Sequence, residues 1–314
     1  MHQDLALALL AGLGGMLGWG LADFFAKKTI DRIGDVTTLF WGQLIGILPL
    51  LILFLFNPGI PQKIDGATGF AYLVLLGIWS GLSYIPTYVA FGKGKVSLLS
   101  PIFASYGVVV AILSAVFFGE IIPFGREIAF VVVFAGIWLI NGDFSGIGSL
   151  IFRADKQKNA ATASAEAAPE EVRGKVKGLR EILLAVGLYS IWLIALDRFI
   201  KGEADWVPFL LVIRIFSAVS LFVYAKAKTV ALRIPDKSLW KYLFLIGVFD
   251  VAAFAFVSYG FSRTPYTSVV AMLSGVFSLP TIVLARVFLK EKVTIVQTIG
   301  SLVVIAGIIL LSLF

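Results

Sequence analysis

Long apolar runs constrain this chain more than any other feature of its sequence. A helix needs about 20 apolar residues to cross the hydrocarbon core of a bilayer, and runs of about that length recur along the whole chain. They are too long for barrel strands and do not alternate at period two. We therefore predict an all-α integral membrane protein with ten transmembrane helices, numbered here as spans 1 to 10. The spans cover residues 5–25, 36–56, 67–91, 96–118, 124–140, 180–200, 206–225, 239–261, 267–289 and 294–314.

The composition excludes several function classes. Of the 314 residues, 59% are apolar and only 14% are charged, whereas soluble domains carry about 25% charged residues. The chain has no Cys and its one His is His2, so thiolate and imidazole metal sites are not expected. We expect no enzymatic activity, no cofactor, no metal and no nucleic-acid partner. The expected partners are the lipid bilayer and a small-molecule substrate.

The ten spans fall into two groups of five. We assign residues 1–141 to a first five-helix repeat, 142–178 to a flexible polar linker and 179–314 to a second repeat. A shift of 171 residues superposes Glu120 on Glu291, and Ala135-Gly136-Ile137 on an identical segment at 306–308. Because five is odd, the repeats insert in opposite directions, and inverted repeats are a common transporter design. Glu120 and Glu291 are expected to share a structural task, such as bonding the end of a neighbouring helix.

The basic residues are distributed unequally between the two membrane faces. We call the face that holds the N-terminus face A and the opposite one face B. Of the 26 Lys and Arg residues, 20 fall on face B, five fall on face A, and Arg214 lies inside span 7. The positive-inside rule places face B in the cytoplasm. We therefore predict a multi-pass protein of the plasma (inner) membrane, with both termini outside and the linker cytoplasmic.

Two charges inside the apolar runs are candidates for a substrate site, because a charge at the bilayer centre costs about 2.5–3.5 kcal/mol on insertion scales. Arg214 in span 7 and Asp250 in span 8 lie at depths that differ by roughly 5 Å, which allows a salt bridge directly or through a ligand. In a functional interpretation, Arg214 anchors a carboxylate or phosphate, and Asp250 meets an amine or takes up a coupling proton. In a structural interpretation, the pair only locks spans 7 and 8 together.

Two further carboxylates lie nearer the ends of their spans. Asp197 is about four residues from the face-A end of span 6, where it could contribute to the site or simply face the membrane interface. Asp23 lies near the face-B end of span 1, four residues before Lys27. It could act as a coupling acid, or it could pair with Lys27 along the helix.

Aromatic side chains with a polar edge are candidates for lining a cavity. Trp19, Tyr84, Tyr106 and Trp192 lie deeper in their spans than the aromatic belts at the membrane interfaces. Ser274 is a small hydroxyl-bearing residue that could bond a substrate, although serine hydroxyls in helices more often bond the backbone.

Short motifs recur in a fixed order along the two repeats. Span 1 contains Gly18-Trp19-Gly20, spans 4 and 9 close in Phe118-Gly119-Glu120 and Leu289-Lys290-Glu291, and spans 5 and 10 contain the Ala-Gly-Ile segments. In these features the sequence resembles drug/metabolite transporters of the EamA type over nearly its whole length. The resemblance implies transport of small metabolites or drugs by alternating access, through a central cavity between the halves. Many members are thought to have cytoplasmic termini, whereas the charge count here indicates the reverse.

Three hypotheses about function follow. The first is a secondary-active transporter of a small polar, amino-acid-like metabolite, in which Arg214 and Asp250 offer complementary charges to a zwitterion. The second is a proton-coupled exporter of organic cations or drugs, in which Asp23 or Asp250 is the essential acid and Arg214 is dispensable. The third, from another class, is a passive channel or a scaffold that transports nothing.

The predicted orientation can be tested by proteolysis. Protease added outside intact cells should leave segment 142–178 uncut, because the positive-inside rule places this linker in the cytoplasm. The fragments are followed by immunoblotting, and permeabilised cells serve as the control in which the linker becomes accessible. Cleavage within the linker of intact cells would contradict the predicted topology.

Overall fold

Helices form all of the regular structure in the part of the chain that the structure describes. The structure is a computed structural model, and it describes residues 2–56, 66–118, 124–141, 176–200, 206–264, 270 and 273–313. The helices are α1 (His2–Ile33), α2 (Asp35–Phe56), α3 (Ala67–Lys93), α4 (Val96–Ala104), α5 (Tyr106–Phe118), α6 (Phe124–Asn141), α7 (Leu179–Ile200), α8 (Val207–Ala227), α9 (Lys237–Arg263), α10 (Ser278–Phe288) and α11 (Ile295–Leu313).

The lengths and hydropathies of these helices fit a protein that crosses a membrane ten times. By length and composition, seven helical stretches are able to span a bilayer, with α4 and α5 together forming one of them. Three shorter apolar helices, Glu127–Ile140, Leu273–Phe288 and Ile295–Leu310, bring the number of segments to ten. The prediction of an all-α membrane protein with ten helices is therefore confirmed.

The first helix extends well beyond its apolar run. Span 1 ends at residue 25 in the sequence prediction, but α1 continues to Ile33. In this extension Lys27 Nζ lies 2.9 Å from Asp31 Oδ1, an i,i+4 ion pair that supports a helix. Lys27 Nζ also donates to the carbonyl of Phe91, at 2.7 Å. Hydropathy therefore marks where the apolar residues end, and the helix itself ends eight residues later.

Span 4, a continuous helix in the sequence prediction, is interrupted at Ser105. Both the backbone N–H and the hydroxyl of Ser105 donate to the Ile102 carbonyl, at 3.2 and 2.6 Å. These i to i−3 bonds tighten the turn and compete with the α-helical pattern. Pro101 lacks an N–H to donate within the same segment. The result is a short, fully buried α4 that joins α5 at Ser105.

The last helices of the two repeats cross through glycines that the 171-residue shift relates to each other. A Cβ on Gly136 of α6 would lie 2.7 Å from the backbone N of Val304, and one on Gly307 of α11 would lie 2.9 Å from the backbone N of Val133. Val133 and Val304 are themselves related by the same shift. The two glycines let the backbones approach closely, as small residues do in membrane helix pairs. The sequence repeat is therefore also a symmetric packing contact.

Several contacts on face B join the two repeats. Both oxygens of the Glu291 carboxylate, just after α10, accept hydrogen bonds at the start of α4: Oε1 from Val96 N and Oε2 from Ser97 N, each at 3.0 Å. The Ser97 hydroxyl also donates to Oε2, at 2.6 Å. Glu291 therefore bonds a neighbouring helix end, as expected from the sequence, while its counterpart Glu120 lies outside the described residues. Lys93 on α3 adds an ion pair to Glu181 on α7, at 2.6 Å.

We expect Glu291→Ala to lower the melting temperature of the detergent-purified protein by roughly 2–5 °C, because a lost helix cap costs about 0.5–2 kcal/mol. Ser97→Ala removes one of the three bonds and should cause a smaller decrease. Glu127→Ala is the control, since this glutamate is exposed on α6. Equal melting temperatures for the Glu291 and Glu127 variants would show that the cap does not stabilise α4.

Candidate functional site

An ion pair in the middle of two helices forms the centre of the candidate site. Arg214 is the eighth of 21 residues in α8, and Asp250 is the fourteenth of 27 in α9. Arg214 Nη2 donates to Asp250 Oδ2, so the salt bridge is direct. Arg214 Nη1 donates to Oε1 of Gln43 on α2, at 2.5 Å. The two charged side chains are only 9% and 19% exposed, which makes each the main counter-charge of the other in a medium of low dielectric constant.

A small polar cavity lies against this ion pair, and we call it the central cavity. Its volume is about 40 Å³, enough for a few water molecules at about 10–15 Å³ each. Helices of both repeats contribute to its walls. Its polar lining consists of Trp19, Asp23, Gln43, Tyr84, Thr87, Tyr88, Tyr106, Tyr189, Arg214 and Asp250. A second cavity of about 30 Å³ adjoins the same ion pair and is lined by Ser80, Tyr84 and Trp192, among others.

Asp23 brings a third carboxyl-bearing side chain to the central cavity. It accepts a hydrogen bond from the Ser100 hydroxyl of α4, at 2.9 Å. The ion pairs among the described residues do not include Asp23. Lys27 forms its pair with Asp31 instead, so the alternative in which Asp23 pairs with Lys27 along the helix is wrong. The physical reason is that Asp23 points toward α4, whereas Lys27 bonds to Asp31 and the end of α3.

Aromatic rings from both repeats surround the cavity. Tyr189 lies at the centre of this cluster, with its ring centroid 4.9 Å from that of Tyr106 and 5.3 Å from that of Tyr84. Trp19 packs edge-on against Phe254, at 5.2 Å between centroids. Three predicted lining residues, Trp19, Tyr84 and Tyr106, therefore meet at the central cavity.

Trp192, the fourth predicted aromatic residue, is placed differently. It lines the smaller cavity and is 2% exposed. Its indole Nε1 donates to the Leu76 carbonyl, at 2.9 Å, so its polar edge is already bonded within the protein. This contact joins α7 to α3 and gives Trp192 a packing role at the edge of the site.

A larger cavity, which we call the vestibule, lies toward face A. Its volume is about 340 Å³, and it shares Trp19, Tyr106 and Tyr189 with the central cavity. The rest of its wall is mostly apolar and includes Trp206 at the start of α8 and Val257 near the end of α9. The Thr264 hydroxyl donates to the Asp4 carbonyl at 3.1 Å, which places the end of α9 beside the start of α1 on face A. The predicted Ser274 lines this vestibule rather than the central cavity.

Two polar, non-aromatic residues of the central cavity were not predicted from the sequence. Gln43 is the second hydrogen-bond partner of Arg214, and Thr87 is 1% exposed with no partner for its Oγ1 among the described residues. Both are uncharged residues inside apolar runs, where the sequence gives no sign of which polar side chains face a cavity. The side chain of Asp197, a predicted site residue, lies outside the described part of the chain.

The described residues include no group of three or more His, Cys, Asp or Glu side chains that could hold a metal ion. The polar groups of the site are a guanidinium, carboxylates, an amide and hydroxyls, which are groups that bind organic ions.

Comparisons with known proteins agree with this architecture. The model of the EamA-like transporter family matches residues 6–142 and 177–313. A crystal structure of a protein aligns with a TM-score of 0.61 and 14% sequence identity, over 98% of this chain and 96% of that chain. A likeness at that identity shows the fold alone. A search of the curated proteins found no match to this chain. Because the family model matches both halves, the chain belongs to the EamA-like transporter family and is a multi-pass membrane transporter of small molecules.

Proposed function

We propose that this chain is a secondary-active transporter of a small, zwitterionic, amino-acid-like metabolite. The observation that carries the proposal is the direct Arg214–Asp250 pair at the central cavity. In the empty protein each charge neutralises the other, which avoids the cost of an unpaired buried ion. The pair is therefore stable without substrate, yet it offers one positive and one negative group to an incoming molecule.

A zwitterion is the solute whose charges best match this pair. Its carboxylate can accept charge-assisted hydrogen bonds from the Arg214 guanidinium, while its ammonium meets Asp250. One ion pair is then exchanged for two, and the net charge within the membrane stays at zero. A solute with a single charge would leave either Arg214 or Asp250 without a counter-charge, a state that is costly in a buried site.

The arrangement of the cavities supports transport by alternating access. The vestibule lies on the face-A side of the central cavity, and the bonds of Glu291 and Lys93 hold the repeats together on face B. The vestibule, with a volume of about 340 Å³, is at the lower end of the roughly 300–1,000 Å³ range of small-molecule sites. The central cavity, at about 40 Å³, has to widen during transport to admit an amino acid. Repeats 1–141 and 179–314 would move against each other around the site, with 142–178 as their linker. If face B is cytoplasmic in a plasma membrane, this conformation has its larger cavity toward the outside.

Transport assays test the proposal directly. We expect at least one L-amino acid to raise the melting temperature of the purified protein and to show counterflow in proteoliposomes. Arg214→Ala should reduce that transport at least tenfold, because it removes the carboxylate anchor. Arg263→Ala on the exposed end of α9 is the matched control and should transport normally.

Loss of Arg214 alone leaves Asp250 buried and unpaired, at a cost of about 3–5 kcal/mol in similar sites. The double variant Arg214→Met/Asp250→Leu removes both charges and should fold while it fails to transport. Full amino-acid transport by either variant would contradict the zwitterion proposal. Uptake without stimulation by internal substrate would instead indicate a channel, and no uptake of any solute would indicate a scaffold.

A second candidate function is proton-coupled export of organic cations. The observation that favours it is Asp23, which faces the central cavity outside the described ion pairs, near the aromatic rings of Trp19 and Tyr88. Aromatic faces attract organic cations, and a carboxylate can exchange a proton for one. In this case Asp23→Asn abolishes uptake of tetraphenylphosphonium driven by a pH gradient, while Arg214→Ala retains it. Retention of that uptake in Asp23→Asn would exclude this function.

A further inference from the structure

We infer that Gly46 of α2 is a positioning residue for Arg214. Because residue 46 has no side chain, the guanidinium can lie against α2 and donate hydrogen bonds to Gln43 and to Asp250 at the same time. The inference deepens the proposed function and rests on it for what Arg214 binds. A side chain at residue 46 would meet Arg214, and Gly46 is not among the residues that line the central cavity.

The space at Gly46 is filled by the guanidinium. A Cβ at this position would lie 3.0 Å from Arg214 Nε and 3.1 Å from both Cζ and Nη2. Ordinary carbon contacts are about 3.5–4.0 Å, so a methyl group at residue 46 would displace its neighbour by several tenths of an ångström. The neighbour that moves is the end of a flexible arginine side chain, while the α2 backbone can stay in place.

The hydrogen bonds of Arg214 leave little freedom for that displacement. Gln43 precedes Gly46 by three residues and therefore lies on the same face of α2. It accepts from Nη1 at 2.5 Å, while Asp250 accepts from Nη2 across the gap between α2 and α9. The guanidinium is planar and rigid, so a shift that relieves contact at residue 46 lengthens at least one of the two bonds.

A second glycine sets the separation of the helices that carry these acceptors. A Cβ on Gly247 of α9 would lie 2.8 Å from the backbone N of Gly46 and 3.2 Å from its Cα. Gly247 lies three residues before the acceptor Asp250, and Gly46 lies three residues after the acceptor Gln43. A side chain on Gly247 would push the two backbones apart. A side chain on Gly46 acts mainly on Arg214, which makes position 46 the cleaner test.

The first experiment measures melting temperatures and needs no substrate. Gly46→Ala should lower the melting temperature of the otherwise unchanged protein by roughly 3 °C, because the Arg214 bonds are strained. In the Arg214→Met/Asp250→Leu background the same substitution should change it by less than about 1 °C, since the rigid guanidinium is gone. Gly187→Ala is the control, because a Cβ there would meet no heavy atom of another described part of the chain within 4 Å.

The result that would overturn the inference is an equal change in the two backgrounds. An equal loss means that residue 46 acts on helix packing and not through Arg214. No loss in either background means that the guanidinium tolerates a methyl group in its present position.

The second experiment measures transport of whichever L-amino acid shows counterflow. Gly46→Ala should raise its KM by roughly tenfold with kcat within about twofold, as expected when binding geometry is lost. In an Arg214→Lys background, which lacks the rigid planar guanidinium, Gly46→Ala should have no further effect on KM. An unchanged KM for Gly46→Ala, or an equal additional rise in the Lys background, contradicts the inference. If no amino acid is transported, the proposed function fails, and the melting-temperature comparison still decides the role of Gly46.

Discussion

A charged side chain inside a membrane needs a counter-charge, and the rest of this site depends on the salt bridge in which Arg214 and Asp250 neutralise each other. The two residues belong to consecutive helices, α8 and α9, which both pack against α2. The α2 helix supplies Gln43 to a second edge of the guanidinium. Pairing avoids the larger cost of leaving either charge buried without a counter-charge. The same pairing keeps two opposite charges available at one cavity, which is what recognition of a zwitterion requires.

A movement of the two inverted repeats against each other could open the site first to one face of the membrane and then to the other. The α6 and α11 helices cross at repeat-related glycines, and the bonds of Glu291 to the start of α4 join the halves on face B. Asp23 also binds α4, about one turn further along the helix, by accepting a hydrogen bond from Ser100. The short α4 is therefore held by acidic side chains at two points, one toward face B and one at the central cavity. A movement of α4 would change both contacts together.

Hydropathy predicted the all-α membrane class and the ten helices, because the bilayer imposes a length and an apolar character that can be measured along the chain. It could not locate the end of α1, since the Lys27–Asp31 pair continues the helix beyond its apolar residues. Counting residues along spans 7 and 8 predicted that Arg214 and Asp250 lie at similar depths in the membrane, and in the structure they form a salt bridge. Depth carries no information about which faces of two helices meet, so the contacts of Asp23 with Ser100 and of Arg214 with Gln43 needed the three-dimensional packing. The Ser105 interruption likewise depends on one side chain competing for a carbonyl.

The most direct test of the central claim compares the binding of one amino acid with that of its two singly charged derivatives. Isothermal titration of the purified protein would use the L-amino acid that shows counterflow, its methyl ester and its N-acetyl form. If Arg214 binds the carboxylate and Asp250 the ammonium, each derivative should bind at least tenfold more weakly than the free amino acid. If the ester or the N-acetyl form binds as tightly as the parent, the ion pair is not the zwitterion site.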